Sequence, residues 1–199
     1  MCRKMNHWPF GHPIGFKLDD LKIEPFAGTR HVQDFDCGES DLNEFLTTDE
    51  VIEYAKENLG RTHLVYHQGN ILAYFTVCAD GLRVEYLKTY KSFSRISELE
   101  LEALPAIKIG RLAVDKRYQN RGLGRLLVKY IVGLALENRF AAARLLIVQA
   151  KPNAVAFYEK CGFQMTVATR RERGRVNRMM FLDLMRIEEK LKASEEKDH

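Results

Sequence analysis

Ile109–Phe163 reads IGRLAVDKRYQNRGLGRLLVKYIVGLALENRFAAARLLIVQAKPNAVAFYEKCGF. The stretch opens on a mostly apolar run, Ile107 to Val114, short and β-branched enough for a buried strand. A polar connector, Asp115 to Arg121, holds Tyr118 as its only hydrophobic residue. Gly122-Leu123-Gly124 then starts a helix whose apolar positions Leu123, Leu126, Leu127, Tyr130, Ile131, Leu134 and Ala135 recur at i, i+3, i+4, i+7 and i+8, the stripe of a helix packed on a sheet. A second strand follows (Arg144 to Ala150), then a short helix from Asn153 to Gly162. Strand, glycine turn, helix, strand and helix form one βαβα unit, whose strands are expected to run parallel with a right-handed crossover.

The chemistry of such a unit lies where its first helix begins. Gln119 to Gly124 gathers free backbone N–H groups at the positive end of a helix, and two glycines let a ligand oxygen reach the main chain without meeting a Cβ. Arg121 and Arg125 flank the turn and can add charge-assisted hydrogen bonds, so the ligand that suits the geometry is a pyrophosphate. On the two glycines alone, a tight packing turn is the simpler reading. A Walker loop is excluded because Arg125-Leu126 stands where Lys-Ser or Lys-Thr is needed. A dinucleotide fingerprint is excluded because Leu127 replaces the third glycine and Gln149-Ala150 replaces the acidic strand end.

What the stretch does resemble is the GNAT acetyltransferase superfamily. Gln119-Asn120-Arg121-Gly122-Leu123-Gly124 fits its Gln/Arg-x-x-Gly-x-Gly/Ala turn at each defined position. Asn153-Ala154-Val155-Ala156-Phe157-Tyr158-Glu159-Lys160-Cys161-Gly162-Phe163 fits its second signature, an asparagine opening a helix that ends in Phe-Tyr-Glu-Lys-x-Gly-Phe. The resemblance runs from about Leu21 to Leu184 and implies an α/β (α+β) fold. That fold is a mixed, mostly antiparallel central sheet of about six or seven strands, flanked by helices, with a parallel central pair at the acetyl-CoA site.

The 199 residues suit one domain with a full-sized core, and the net charge of +4 is mild. The expected organisation is an irregular N-terminal arm (1–19), an acetyltransferase domain (20–185) and a charged C-terminal tail (186–199), a frayed helix or disordered. Cys2, Cys37, Cys78 and Cys161 lack metal-ligand spacing, and no metal is expected. No apolar segment follows Arg3 and Lys4, so the reading is of a cytoplasmic protein with reduced thiols, no leader and no membrane span. Leu21–Phe26 alternates as a first strand. Ser40 or Asp41 can cap a helix bearing Leu42, Phe45 and Leu46 that continues through Val51, Ile52, Tyr54 and Ala55. Arg61–Tyr66 and Ile71–Ala79 flank a hairpin turn at His67-Gln68-Gly69-Asn70. Within the ambiguous segment 84–104, Ser97-Glu98-Leu99-Glu100 has capping-box spacing for a short helix reaching Leu104. Gln164–Thr169 and Val176–Leu184 read as two strands.

The front half narrows the resemblance. Phe35-Asp36-Cys37-Gly38 with Leu42, Phe45 and Leu46, followed by the Gly110–Asp115 block GRLAVD, is similar to the aminoacyl-tRNA acetyltransferase toxins of bacterial toxin–antitoxin pairs. The arm, an insertion around Thr47–Asn58 and the charged tail depart from that pattern. Between the last two strands, Arg170, Arg171, Arg173, Arg175 and Arg178 stand against one Glu172. Such a run is either a solvated charged hairpin or a contact for nucleic acid or another polyanion.

The resemblance implies acetyl-CoA as cosubstrate and an amine as acceptor. The pyrophosphate would lie on Gln119, Asn120, Arg121, Gly122, Leu123, Gly124 and Arg125. The pantetheine arm would pair with the backbone of Leu112, Ala113 and Val114, and Asn153 would hold the same arm, although helix capping alone accounts for an asparagine there. Tyr158 would be the acid that protonates the departing thiolate, a phenol being protonated at neutral pH. No general base is singled out among Glu85, Glu98, Glu100, Glu102 and Asp115. An α-amine, with a pKa of about 7.7–8.0, needs a base less than lysine at about 10.4, which leans towards aminoacyl-tRNA. A small amine, a polyamine or a protein N-terminus stays open as acceptor, as does a silent CoA-binding regulator. tRNA, an antitoxin protein and a second copy of the chain stay open as partners, with Arg170, Arg171, Arg173 and Arg175 as the substrate-facing residues.

Overall fold

A computed structural model describes residues 16–28, 32, 34–138, 140–167 and 176–196, without the side chains of residues 95, 97 and 195. The N-terminal arm to residue 15, most of the arginine-rich segment (168–175) and residues 197–199 lie outside the described residues. Seven strands, β1 (Lys22–Pro25), β2 (Arg61–His67), β3 (Asn70–Arg83), β4 (Ala103–Val114), β5 (Leu145–Ala150), β6 (Gln164–Met165) and β7 (Arg178–Asp183), form one sheet in the order β1-β2-β3-β4-β5-β7-β6. The described helices are α1 (Ser40–Thr47), α2 (Glu50–Lys56), α3 (Leu123–Glu137), α4 (Val155–Lys160) and α5 (Leu184–Glu195). β4 and β5 run parallel, whereas β1–β2, β2–β3, β5–β7 and β6–β7 are antiparallel, as the expected mixed fold requires.

The chain forms two compact units. One comprises the described residues of His12–Cys78 together with Ile109–Val128. Its hairpin turns on Gln68 and Gly69, with φ of 49° and 83°; this two-residue left-handed turn matches the twist of paired strands, and glycine takes it without strain. The turn, together with an irregularity between Val65 and Tyr66 that shifts the pairing, sets the register Thr62↔Thr76 and His63↔Phe75. The two threonine hydroxyls hydrogen-bond each other at 2.8 Å, and the His63 and Phe75 rings stack at 4.9 Å. The core gathers Phe35, Phe45, Leu46, Val51, Leu64, Tyr66, Tyr74 and Ala113.

The helix expected from Ser40 through Ala55 is two helices. Thr48 is extended, and its Oγ1 accepts from the N–H of Glu50, so α2 starts afresh. Neither Ser40 nor Asp41 caps α1; the cap position belongs to Glu39, which makes no side-chain cap bond.

The second unit comprises the described residues of Ala79–Lys108 and Lys129–His199. Segment 84–99 departs from its reading: no α-helix starts at Ser97, and the chain runs instead in 3₁₀ turns over Val84–Leu87 and Lys91–Leu99, ending at Glu100 with φ of 51°. The reason lies in spacing. Leu87, Tyr90, Phe93 and Ile96 stand three apart, the repeat that lines one side of a 3₁₀ helix, and all four pack in one cluster with Phe181. The Tyr90 and Phe93 rings meet Phe181 edge-on at 4.9 and 5.8 Å.

The last expected strand ends one residue early, at Asp183, whose carboxylate accepts from the N–H of Arg186 and opens α5. The tail, read as a frayed helix or disordered, is helical to Glu195, with Leu184, Ile187 and Leu191 buried at i, i+3 and i+7. Asp183 also takes two hydrogen bonds from Arg144, each 2.9 Å. The Arg144 guanidinium lies 5.1 Å from the centre of the Phe93 ring. Asp183 is 5% exposed in its side chain and Arg144 18%, so removing one partner strands a charge out of water. Arg144→Met is expected to lower stability by about 3 kcal/mol in urea unfolding; a loss below about 1 kcal/mol would show that the pair behaves as a surface ion pair.

Candidate cofactor turn and acyl-transfer residues

The turn after β4 is built around a buried carboxylate. Asp115 is 1% exposed. It accepts from the backbone N–H of Asp36 (3.2 Å) and of Arg117 (2.9 Å), and from Nε and Nη2 of Arg117 (2.8 and 2.9 Å). Burial pushes its pKa up, but these donors outweigh burial and hold the carboxyl below its ordinary range. A carboxylate so occupied is no proton acceptor, which removes Asp115 from the candidate bases. Glu85 is ion-paired with Arg83 at 3.2 Å, and Glu98, Glu100 and Glu102 are exposed.

A single 3₁₀ turn, Lys116–Tyr118, leads to Gln119. The Gln119 carboxamide donates to Val114 O and to Cys37 O, both at 2.8 Å, and its backbone N–H donates to Lys116 O at 3.4 Å. The available donors therefore begin one residue later. Asn120 has φ of 59° and Gly122 82°; the first suits asparagine, the second glycine. The first helical bond of α3 is Leu126 N–H to Gly122 O, at 3.1 Å. Among the described residues, the N–H groups of Asn120, Arg121, Gly122, Leu123, Gly124 and Arg125 have no acceptor in the chain. Arg121 is exposed and Arg125 half-buried, neither held in an ion pair among the described residues. Six N–H groups at a helix start with two cationic side chains fit a pyrophosphate. Leu112 and Val114 are half-buried and Ala113 is buried at the end of β4. α3 buries Val128 and Val132 beside the expected stripe, while Tyr130 and Leu134 stay partly exposed.

In the other unit, Tyr158 lies in α4, buried, with its ring edge-on to Phe157 (5.0 Å) and Phe163 (5.3 Å). Burial, reinforced by Cys161, pushes its pKa above that of an ordinary phenol, so it carries its proton throughout the physiological range. Its hydroxyl makes no hydrogen bond among the described residues. Asn153 sits exposed in the 3₁₀ turn Pro152–Ala154, one residue before Ala154, the N-cap of α4. Arg170, Arg171, Arg173 and Arg175 lie outside the described residues.

Two features were not singled out in the sequence. Asp36 joins Lys116 at 2.8 Å, and Asn43 joins Asp36 at 2.8 Å. Arg111, within GRLAVD, places its guanidinium 3.5 Å from the centre of the Phe45 ring and 4.5 Å from that of Tyr54, with Glu50 at 2.9 Å. Its signal was the pairing of one arginine in that block with the aromatic residue of the front-half motif. Among the described residues, no group of three His, Cys, Asp or Glu side chains is placed to hold a metal ion. No helix among them is long and apolar enough to cross a membrane.

Residues 96–184 match the family model described as the acetyltransferase (GNAT) domain. Over those residues the chain carries an acetyltransferase (GNAT) domain, and the match supports an N-acetyltransferase enzyme. It is similar to the solved structure of AtaT complexed with acetyl-methionyl-tRNAfMet, at 27% identity over 85% of this chain and 98% of that one, with a TM-score of 0.71. A tyrosine-to-phenylalanine mutant of the AtaT toxin, bound to the C-terminus of the antitoxin AtaR and acetyl-CoA, is 26% identical over 85% and 97% of the two chains, with a TM-score of 0.66. A corresponding KacT mutant, 24% identical over 85% and 98%, shares the fold with a TM-score of 0.72.

The Asp36 carboxyl gives the turn a measurable acid limit. Hydrogen bonds from Lys116, Asn43 and the Gly38 N–H hold it down to about 2 from its ordinary 3.8. A depressed carboxyl stabilises the fold above its unfolded pKa, and that contribution is lost as pH falls through the folded value. The Asp36 side-chain carbon is expected to titrate by NMR near pH 2, and Lys116→Met to move the midpoint upward. A wild-type midpoint near 3.8 would contradict the observed contacts.

Proposed function

We propose that the protein transfers acetyl from acetyl-CoA to the α-amine of aminoacyl-tRNA, as the toxin of a toxin–antitoxin pair in the cytoplasm. The observation that carries this reading is its similarity, across 85% of its length, to AtaT complexed with acetyl-methionyl-tRNAfMet. An antitoxin as partner is supported by the AtaT structure bound to the C-terminus of AtaR.

The N–H groups from Asn120 to Arg125 hold the pyrophosphate, with Arg121 and Arg125 supplying positive charge. The backbone of Leu112 to Val114 pairs with the pantetheine arm, and Asn153 holds it further along. Transfer requires the acceptor amine to lose a proton and the departing sulfur to gain one. The Tyr158 hydroxyl, which burial keeps protonated, donates to the thiolate as charge develops on it, and the proton lost by the amine makes good the one given up. An α-amine, with a pKa of about 7.7–8.0, keeps an appreciable unprotonated fraction near neutrality and needs a protein base less than a lysine at about 10.4 does. That agrees with Asp115 being locked and with the exposure of Glu98, Glu100 and Glu102. The segment holding Arg170, Arg171, Arg173 and Arg175 supplies phosphate contacts to the RNA.

Tyr158→Phe keeps the packing on Phe157 and Phe163 and removes only the hydroxyl. Turnover is expected to fall by about 10²–10⁴-fold with acetyl-CoA binding retained; turnover within a few-fold of wild type would assign the proton to another group.

The acceptor is tested by transfer of radiolabelled acetyl to charged tRNA, uncharged tRNA, polyamines and protein N-termini. Label is expected on charged tRNA alone. Replacing Arg170, Arg171, Arg173 and Arg175 by glutamine is expected to flatten the salt dependence of tRNA binding by roughly 0.7–0.9 log units per lost contact. Label on small amines with no RNA affinity would establish a small-amine acetyltransferase, and no transfer to any amine a CoA-binding regulator.

A further inference from the structure

The loop from Phe35 to Asn43 carries the front-half motif, and acetyl transfer as described leaves it without a role. Four hydrogen bonds nevertheless join it to the turn after β4. The Asp36 N–H donates to Asp115 Oδ2 (3.2 Å), and the Lys116 N–H donates to Asp36 O (2.8 Å). Lys116 Nζ reaches Asp36 Oδ2 (2.8 Å), and the Gln119 carboxamide donates to Cys37 O (2.8 Å).

The loop is itself held by Asn43 of α1. The Asn43 Nδ2 donates to Asp36 Oδ1 (2.8 Å), and its Oδ1 accepts from the Cys37 N–H (2.9 Å) and the Cys37 thiol (3.0 Å). Gly38, with φ of 89°, lets Lys116 pack closely: a Cβ there would stand 3.1 Å from Lys116 Cε. Fixed at Asp36 and Cys37, the loop in turn fixes Lys116 and Gln119, the residues immediately before the left-handed Asn120 and the row of unpaired N–H groups.

We infer that the Asp36–Asn43 loop positions the cofactor turn: it holds the N–H groups of Asn120–Arg125 in their pyrophosphate-binding arrangement before the ligand arrives. Gln119 is on this view a positioning residue, both its carboxamide donors being spent on Val114 and Cys37 within the chain. The inference rests on the reading that this turn binds the pyrophosphate. Its physical content is preorganisation. A turn ordered in advance loses little freedom on binding, whereas a released one must be ordered by the ligand. Backbone ordering of a single residue corresponds to about tenfold in affinity.

Among the described residues the side-chain hydrogen bonds of Asn43 go to Asp36 and Cys37 and none to Asn120–Arg125, which makes Asn43→Ala the informative variant. Calorimetric titration with CoA is expected to show affinity about tenfold weaker, with kcat at saturating acetyl-CoA within about twofold of wild type. Gln119→Leu, at an exposed position, is expected to weaken CoA similarly and keeps the test available should Asn43→Ala not fold. Gly122→Val separates the two levels, because it strains the turn directly through the φ of 82°. If Gly122→Val weakens CoA while Asn43→Ala and Gln119→Leu bind it as wild type does, with only Tm lowered, the loop is ordinary packing and the inference is overturned. If Gly122→Val also leaves CoA affinity unchanged, the turn is not the pyrophosphate site and both statements fall.

Discussion

A carboxylate taken out of water must be answered by donors, and the turn after β4 follows from how Asp115 is answered. At 1% exposure it cannot rely on solvent. Its donors come from both directions along the chain: Arg117, two residues on, and the backbone of Asp36, far upstream. The first contact forces the chain to curl at once into the Lys116–Tyr118 turn. The second brings a distant loop to the same place. Gln119 then closes the arrangement by returning to the carbonyl of Val114, so that the end of the strand and the start of the helix are tied within five residues. Among the described residues, the N–H groups of Asn120–Arg125 find no acceptor. An anion site made of main chain needs a scaffold of this kind, since its donors cannot be steered by side-chain rotamers.

The second unit solves a similar problem at Asp183. There too a carboxylate is shielded from water, and an arginine approaches it with two parallel hydrogen bonds. The consequence is again a change of secondary structure, because β7 stops at the residue whose carboxylate opens α5. In both places, one buried acid next to a chain reversal does the work that a glycine or proline does in an ordinary turn. Asp115 cannot be exchanged for asparagine on equal terms, because an amide offers one acceptor oxygen to a site that supplies four donors.

Much of this was legible in the sequence, and the parts that were not have common causes. The strands, the glycine turn and α3 were readable because period-two and period-3.6 patterns are set by burial on one face, a local property of the chain. Segment 84–99 resisted because its apolar residues Leu87, Tyr90, Phe93 and Ile96 follow a period of three, which neither standard pattern contains. The break between α1 and α2 resisted because Thr48 carries no strong local signal; its hydroxyl decides the matter by bonding Glu50. For α5 helix and disorder both stayed open because its charged residues outnumber Leu184, Ile187 and Leu191, and only packing shows that those three suffice. The ties from Asp36 to Asp115 and Lys116 span 79 and 80 residues, and no reading of spacing along the chain brings such partners together.

The ionisable groups also bear on why one proton transfer is assigned to the protein on the proposed reading and the other is not. A general acid must hold its proton until charge develops, and burial favours the neutral form of a phenol. Tyr158 meets that condition through its packing alone, with Phe157 and Phe163 excluding water around the ring. A general base requires the opposite: a carboxylate that is ionised yet uncommitted, desolvated enough to be basic. Asp115 is desolvated but committed to Arg117, and its donors hold its carboxyl below the ordinary range, whereas Glu98, Glu100 and Glu102 are solvated. An acceptor with an appreciable free-base fraction lightens that requirement, and an α-amine has one near neutrality where a lysine side chain does not. The choice of acceptor and the poverty of bases are on this view the same fact, expressed once in the substrate and once in the enzyme.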